Sequence, residues 1–215
     1  MTRSLVSIAA VVWLAACGSN PPPPDWQMNA KAASERALAA YLSGNTRIEK
    51  AELARARAEV ARTGRADLLA RVELTHCAAQ VASLVFEPCA AFEAVRGDSP
   101  APERAYAGYL AGRIAAADVA LLPEAHRAVA TNPAALGGVA DPLSRLVAAG
   151  VLFETNRADQ QTITIAIDTA SAQGWRRPLL AWLNLQLRRA ESAGADEAAQ
   201  QLRRRITHVE RGATP

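Results

Sequence analysis

The chain has 215 residues, and its 24 Lys+Arg against 21 Asp+Glu leave a net charge of +3, too balanced for a dedicated nucleic-acid binder. Hydrophobic residues make up 50% and charged residues 21%, which excludes a disordered chain and leaves room for one domain or at most two. Only 5% is aromatic and alanine is the commonest residue, so the core is expected to be Ala, Leu and Val between closely approaching helices. The predicted fold class is all-α. Nearly all the basic residues are Arg, with Lys only at Lys31 and Lys50, a bias given no functional weight.

Met1-Thr2-Arg3-Ser4 is a short positive leader, and Leu5 to Ala16 is an uninterrupted run of small and apolar residues. This is the layout of a secretory signal. The run is about 12 residues, whereas a permanent span needs about 20, so a transmembrane helix is not expected here. Nor does Pro178 to Leu187 qualify, because it contains Asn184 and Gln186 and runs directly into Arg188-Arg189.

The run closes on Leu14-Ala15-Ala16-Cys17-Gly18, which resembles the lipobox of bacterial lipoproteins. The resemblance implies cleavage by signal peptidase II before Cys17 and acylation of that residue, giving a signal peptide over 1–16. A plain secreted signal with an incidental Cys is the alternative. Gly18, being other than Asp, implies by the same resemblance an outer-membrane destination facing the periplasm. Residues 17–28 then read as lipidated Cys and tether, with Pro21 to Pro24 as a polyproline II spacer rather than a PxxP ligand.

From Asn29 to the end, 29–215, the periodicity is helical nearly throughout and Gly or Pro punctuates it. The first helix is expected over Asn29 to Ser43, with Leu38, Tyr41 and Leu42 on its apolar stripe. The second is expected over Thr46 to Thr63, with Thr46 as N-cap and Glu49 completing a capping box. A third begins near Ala66 or Asp67, carries Leu74, Cys77 and Val81, and must stop before Pro88. Gly97 to Pro100 reads as a turn, and Pro102 starts a helix with Tyr106, Tyr109 and Leu110.

Asp118 caps a short turn, and Pro123 opens a segment through Val129. Thr131-Asn132-Pro133 and Gly137-Gly138 mark the best candidate for a mobile or binding loop. Asp141-Pro142 is a strong helix start. Ile163, Ile165 and Ile167 are read as helix, although 162–165 is the best strand candidate in the chain. Helices from Pro178 to Gly194 and from Ala195 to Val209 follow, the last with Arg203, Arg204 and Arg205 on its outer face.

Gly44 to Gly64 and Gly174 to Gly194 share one spacing, and Arg57-Ala58-Glu59 echoes Arg189-Ala190-Glu191. This repetition resembles degenerate tetratricopeptide-like repeats, which have a period of about 34 residues, although that family's Trp, Leu, Gly, Tyr pattern is absent as a set. Both an irregular helical bundle and a short helical-hairpin array remain open.

With Cys17 acylated, Cys77 and Cys89 remain, and an oxidising compartment favours a disulfide between them over two buried free thiols. An unbroken helix to Phe86 would hold the pair too far apart, so the bridge requires the third helix to end near Ser83 with Leu84 to Pro88 folding back. Spacing disfavours a metal site, and no cofactor motif is present.

His76, His126 and His208 read as surface or satisfied core residues, and a Cys77, His76, Asp98 triad is disfavoured because adjacent residues project differently. Glu49, Glu52, Glu59 and Asp67 read as solvated faces with modest pairing. Trp175, Trp182, Tyr106 and Tyr109 are the aromatics available to a binding groove, the alternative being that they fill core gaps.

These features lead to the expectation of a lipid-anchored outer-membrane lipoprotein. Its helical body would be a non-catalytic scaffold or accessory domain for another envelope protein. The alternative is a lipid-anchored enzyme acting on cell-wall material, with an active site around the Thr131 to Asp141 loop.

Overall fold

The computed structural model describes residues 22–212, so Cys17, the signal segment and the first proline of the spacer lie outside the described residues. The fold is an all-α bundle of ten α-helices and three 3-10 turns, with no strand among the described residues. Segment 162–165, the strand candidate, is helical, within Gln160–Ala172.

α1 (Asp25–Ser43) starts four residues before the expected Asn29. Pro24 lies at φ −55°, ψ 147°, in the polyproline II region, and its carbonyl accepts from the N–H groups of Gln27 and Met28. Asp25 adds an anion to the exposed donors of that first turn. The tether therefore ends at residue 24 rather than 28. α1 and α2 (Thr46–Ala61) form a hairpin around an alanine seam, Ala30, Ala33 and Ala37 against Leu53, Ala56 and Val60. Gly44 makes the turn at φ 85°, with the Arg176 guanidinium packed where a side chain would stand. Asn45, not Thr46, caps α2, accepting from the Ile48 N–H at 3.2 Å.

α3 (Ala66–Ala82) is the central element, and its buried positions run around most of its circumference. Val72 joins the hairpin core, Ala79 packs with Tyr41 and Leu42, and Leu74, Cys77, Ala78, Val81 and Ala82 enter the main core. Ion pairs tie neighbours to it at two buried carboxylates: Arg57 of α2 holds Glu73, only 3% exposed, and Arg71 holds Glu103 at 2.8 Å.

α4 (Ala90–Glu93), a 3-10 turn over Arg96–Asp98 and α5 (Ala101–Leu110) follow, then a second 3-10 turn and α6 (Glu124–Thr131). α7 (Pro142–Glu154) starts as expected, with the Asp141 carboxylate accepting from the Ser144 N–H at 2.7 Å. α8 (Gln160–Ala172), α9 (Arg176–Ser192) and α10 (Asp196–Arg211) complete the chain, α9 beginning two residues before Pro178.

α3 and α7 cross closely, and a Cβ on Gly150 would overlap the Val81 carbonyl oxygen. One residue further along α3, the Ala82 carbonyl accepts from the Trp182 indole of α9 at 3.0 Å. α3 then stops. The N–H of Val85 bonds the Gln80 carbonyl and that of Leu84 the Val81 carbonyl, with Leu84 left-handed at φ 58°. The chain folds back as the disulfide requires, and Cys77 and Cys89 are bridged with Cα atoms 6.0 Å apart.

Replacing Gly150 by Ala is expected to cost about 2 kcal/mol, because a backbone carbonyl, not a flexible side chain, occupies the space; urea denaturation checks it. Cys77→Ser with Cys89→Ser is expected to lower stability by about 3 kcal/mol, the loop-closure contribution for so short a loop, and reductant should reproduce the shift in the parent chain.

Candidate functional site

The fold-back after α3 opens a cleft of about 700 Å³ between α3, segment 84–89, α4, α5 and the end of α7. Leu74, Val81, Phe86 and Leu110 supply its apolar lining, beside the Cys77–Cys89 bridge. Phe86 is held by stacking on Phe153, with ring centroids 6.0 Å apart. A second lobe of about 310 Å³ adjoins it, and both lobes are lined by Arg96, Arg104, Gly108 and Arg113.

Local backbone chemistry places these groups. Arg96 lies over the Phe92 ring at 5.0 Å and pairs with Glu93 at 2.6 Å, and that guanidinium holds the Glu93 carboxyl below its ordinary range. Arg104, one turn into α5, donates to the Ser99 carbonyl. Gly112 at φ 67° ends α5 and turns the chain so that the Arg113 N–H reaches the Gly108 carbonyl at 2.8 Å. A Cβ on Gly108 would stand 2.9 Å from the Arg113 carbonyl oxygen, so a glycine is needed for this close turn.

The four aromatics expected of a groove do not share one. Trp182 is 0% exposed, packed edge-on to Phe153 and bonded to Ala82, and is a core residue. Tyr109 is equally buried. Trp175 is half-buried and packs between the main core and the Tyr41 cluster. Tyr106 alone borders an opening, a trough of about 600 Å³ shared with Pro102, Leu122 and Pro123. Residues 133–138 form a 3-10 turn anchored by buried Leu136, not a free loop. Arg157 donates to the carbonyls of Ala130 and Thr131 at 2.9 and 3.2 Å, and Arg145 to that of Val139 at 2.8 Å. Neither the cleft nor the trough is lined by this segment.

A polar constellation absent from the sequence reading joins α1, α2, α3 and α9. Glu49, read as part of a solvated face, is 6% exposed. Its carboxylate meets His76 Nε2 at 2.9 Å and lies 3.6 Å from Arg177 Nη2. Arg177 also stacks on the Tyr41 ring at 4.1 Å and donates to the Tyr41 carbonyl at 2.7 Å and the Thr46 hydroxyl at 3.0 Å. Burial raises the Tyr41 phenol above its ordinary value. The space beside Tyr41 and His76 is only about 10 Å³, less than a substrate needs. Glu49, His76, Tyr41 and Arg177 therefore act as a clasp between distant helices. His76 faces Glu49 while Cys77 is bridged to Cys89, so these adjacent residues form no nucleophile–base pair.

His126 is 2% exposed, packed against Tyr106 and Tyr109. Its Nδ1 and the Tyr109 hydroxyl are buried without a hydrogen-bond partner among the described residues, so His126 is not the satisfied core residue expected. Burial holds its imidazole down to about 4, only partly opposed by Asp141. Among the described residues, no three His, Cys, Asp or Glu side chains gather as a metal-ligand set.

No family model matches the chain, and no curated protein and no solved structure was found to be similar to it.

Because the unfolded imidazole titrates near 6.5 and the folded one near 4, His126 leaves stability intact above pH 6.5 and erodes it as the pH falls toward 4. The loss should total on the order of 3 kcal/mol. Urea denaturation across pH 7 to 5 should show His126→Phe with a flatter profile than the parent; identical slopes would refute the assignment.

Proposed function

We propose that this chain is an envelope lipoprotein, acylated at Cys17 and held at the outer membrane facing the periplasm. Its all-α body serves there as a non-catalytic docking module for another envelope protein. The order of charged leader, twelve-residue apolar run, Ala15-Ala16 and Cys17 carries the reading. A bridged Cys77–Cys89 pair supports it, since such bonds persist in oxidising compartments. The seven residues 18–24 supply a spacer of roughly 22 Å if extended at about 3.1 Å per residue, enough to stand the body off a bilayer. No helix among the described residues is long and apolar enough to cross a membrane, so the acyl chains would provide the attachment.

The docking role is supported by the open cleft beside the disulfide, which offers an apolar floor and charged walls. Tyr41 and His76, by contrast, border a space of only about 10 Å³, too small for a substrate. Lipid localisation adds effective concentration, so a modest cleft can hold a membrane-associated partner.

Metabolic labelling with an alkyne fatty acid should mark the parent chain and leave Cys17→Ser unmarked, with the label recovered in the outer-membrane fraction. Label that persists in Cys17→Ser, or none in the parent, would overturn the lipoprotein reading.

A further inference from the structure

The cleft and its second lobe meet at a ridge formed by Arg96, Arg104, Gly108 and Arg113, with the Arg113 carbonyl packed over Gly108. Arg96 is already occupied by Glu93 and Phe92. Arg104 and Arg113 are exposed, and neither forms an ion pair among the described residues; Arg104 bonds only a backbone carbonyl, and Arg113 acts on Glu93 only at a distance. The remaining carboxylates lie apart from one another: Glu87 and Glu154 line only the larger lobe, and Asp118 only the smaller. Both lobes therefore share a cationic middle, and each carries negative charge of its own.

We propose that this cleft captures an extended segment of a partner protein in which one acidic side chain is flanked by apolar ones. The proposal rests on the docking role argued above and names what the docking site recognises. The carboxylate of that segment accepts charge-assisted hydrogen bonds from Arg104 and Arg113, the two guanidinium groups with no acidic partner of their own. An apolar side chain next to it lies on Leu74, Phe86 and Leu110 in the larger lobe. A further acid on that side would face Glu87 or Glu154, and one on the other side Asp118, so a run of acids is repelled.

The test is a displayed random heptapeptide library panned on the full-length chain in lipid nanodiscs, followed by fluorescence anisotropy with the most enriched synthetic peptide. Enriched peptides should share one Asp or Glu beside Leu, Ile or Phe. Arg104→Ala with Arg113→Ala should weaken binding at least tenfold, with only the small fall in melting temperature that loss of the Arg104 bond to the Ser99 carbonyl brings. Phe86→Ala should weaken it several-fold, and Arg204→Ala, on α10, should leave it unchanged. Raising the salt concentration should weaken the parent and spare the double arginine variant. Enrichment of acid-free peptides or of acidic runs, no enrichment at all, or an arginine variant that binds like the parent would each overturn the proposal. Fatty-acid labelling at Cys17 reads the anchor independently, so failed panning with intact labelling removes the peptide specificity alone, whereas lost labelling removes the lipoprotein reading itself.

Discussion

The architecture turns on the last turn of α3. There two consecutive carbonyls are used by two different helices: Val81 presses against the bare backbone of Gly150 in α7, and Ala82 accepts the indole proton of Trp182 in α9. A buried carbonyl without a partner is costly, and a helix crossing this close tolerates no added methyl group. These contacts place α7 and α9 against α3, and the chain reverses directly after Ala82. The left-handed Leu84 completes that reversal, and the disulfide ties the returning segment to α3. The cleft is the space between this returning segment and α3, α4 and α5, so its shape depends on the reversal after Ala82 and on the disulfide that holds it.

Much of the helix layout was legible because glycine and proline act locally. Gly44, Gly174 and Gly194 sit at positive φ at helix ends, where a side chain would be strained, and Asp141-Pro142 begins α7 by capping chemistry that involves only neighbouring residues. The disulfide was legible for a different reason. Its geometry could be met only by an early end to α3, and the structure has that end. α1 started earlier than periodicity indicated because Pro24 and Asp25 supply a helix start with no apolar stripe to announce it.

The candidate site was far less visible. Glu49, His76 and Arg177 are brought together by packing across most of the chain, and at the level of sequence each looks like one more charged residue among arginines and glutamates. Trp182 and Tyr109 have the composition of binding aromatics but are fully buried, a distinction that depends on which helix face meets which neighbour. Arg104 and Arg113 lie on opposite sides of a helix end, and only the turn at Gly112 brings them to one ridge. Local rules set element boundaries here, whereas long-range packing decides which side chains share a surface.

The clasp of Arg177 on Tyr41, Thr46 and Glu49 has a kinetic corollary. The first hairpin and the central helix are completed by a residue close to the other end of the chain, so Tyr41, Thr46 and Glu49 lack this one partner until α9 emerges. The small core of the first three helices can gather early, but the polar seal on its open side has to wait for the penultimate helix.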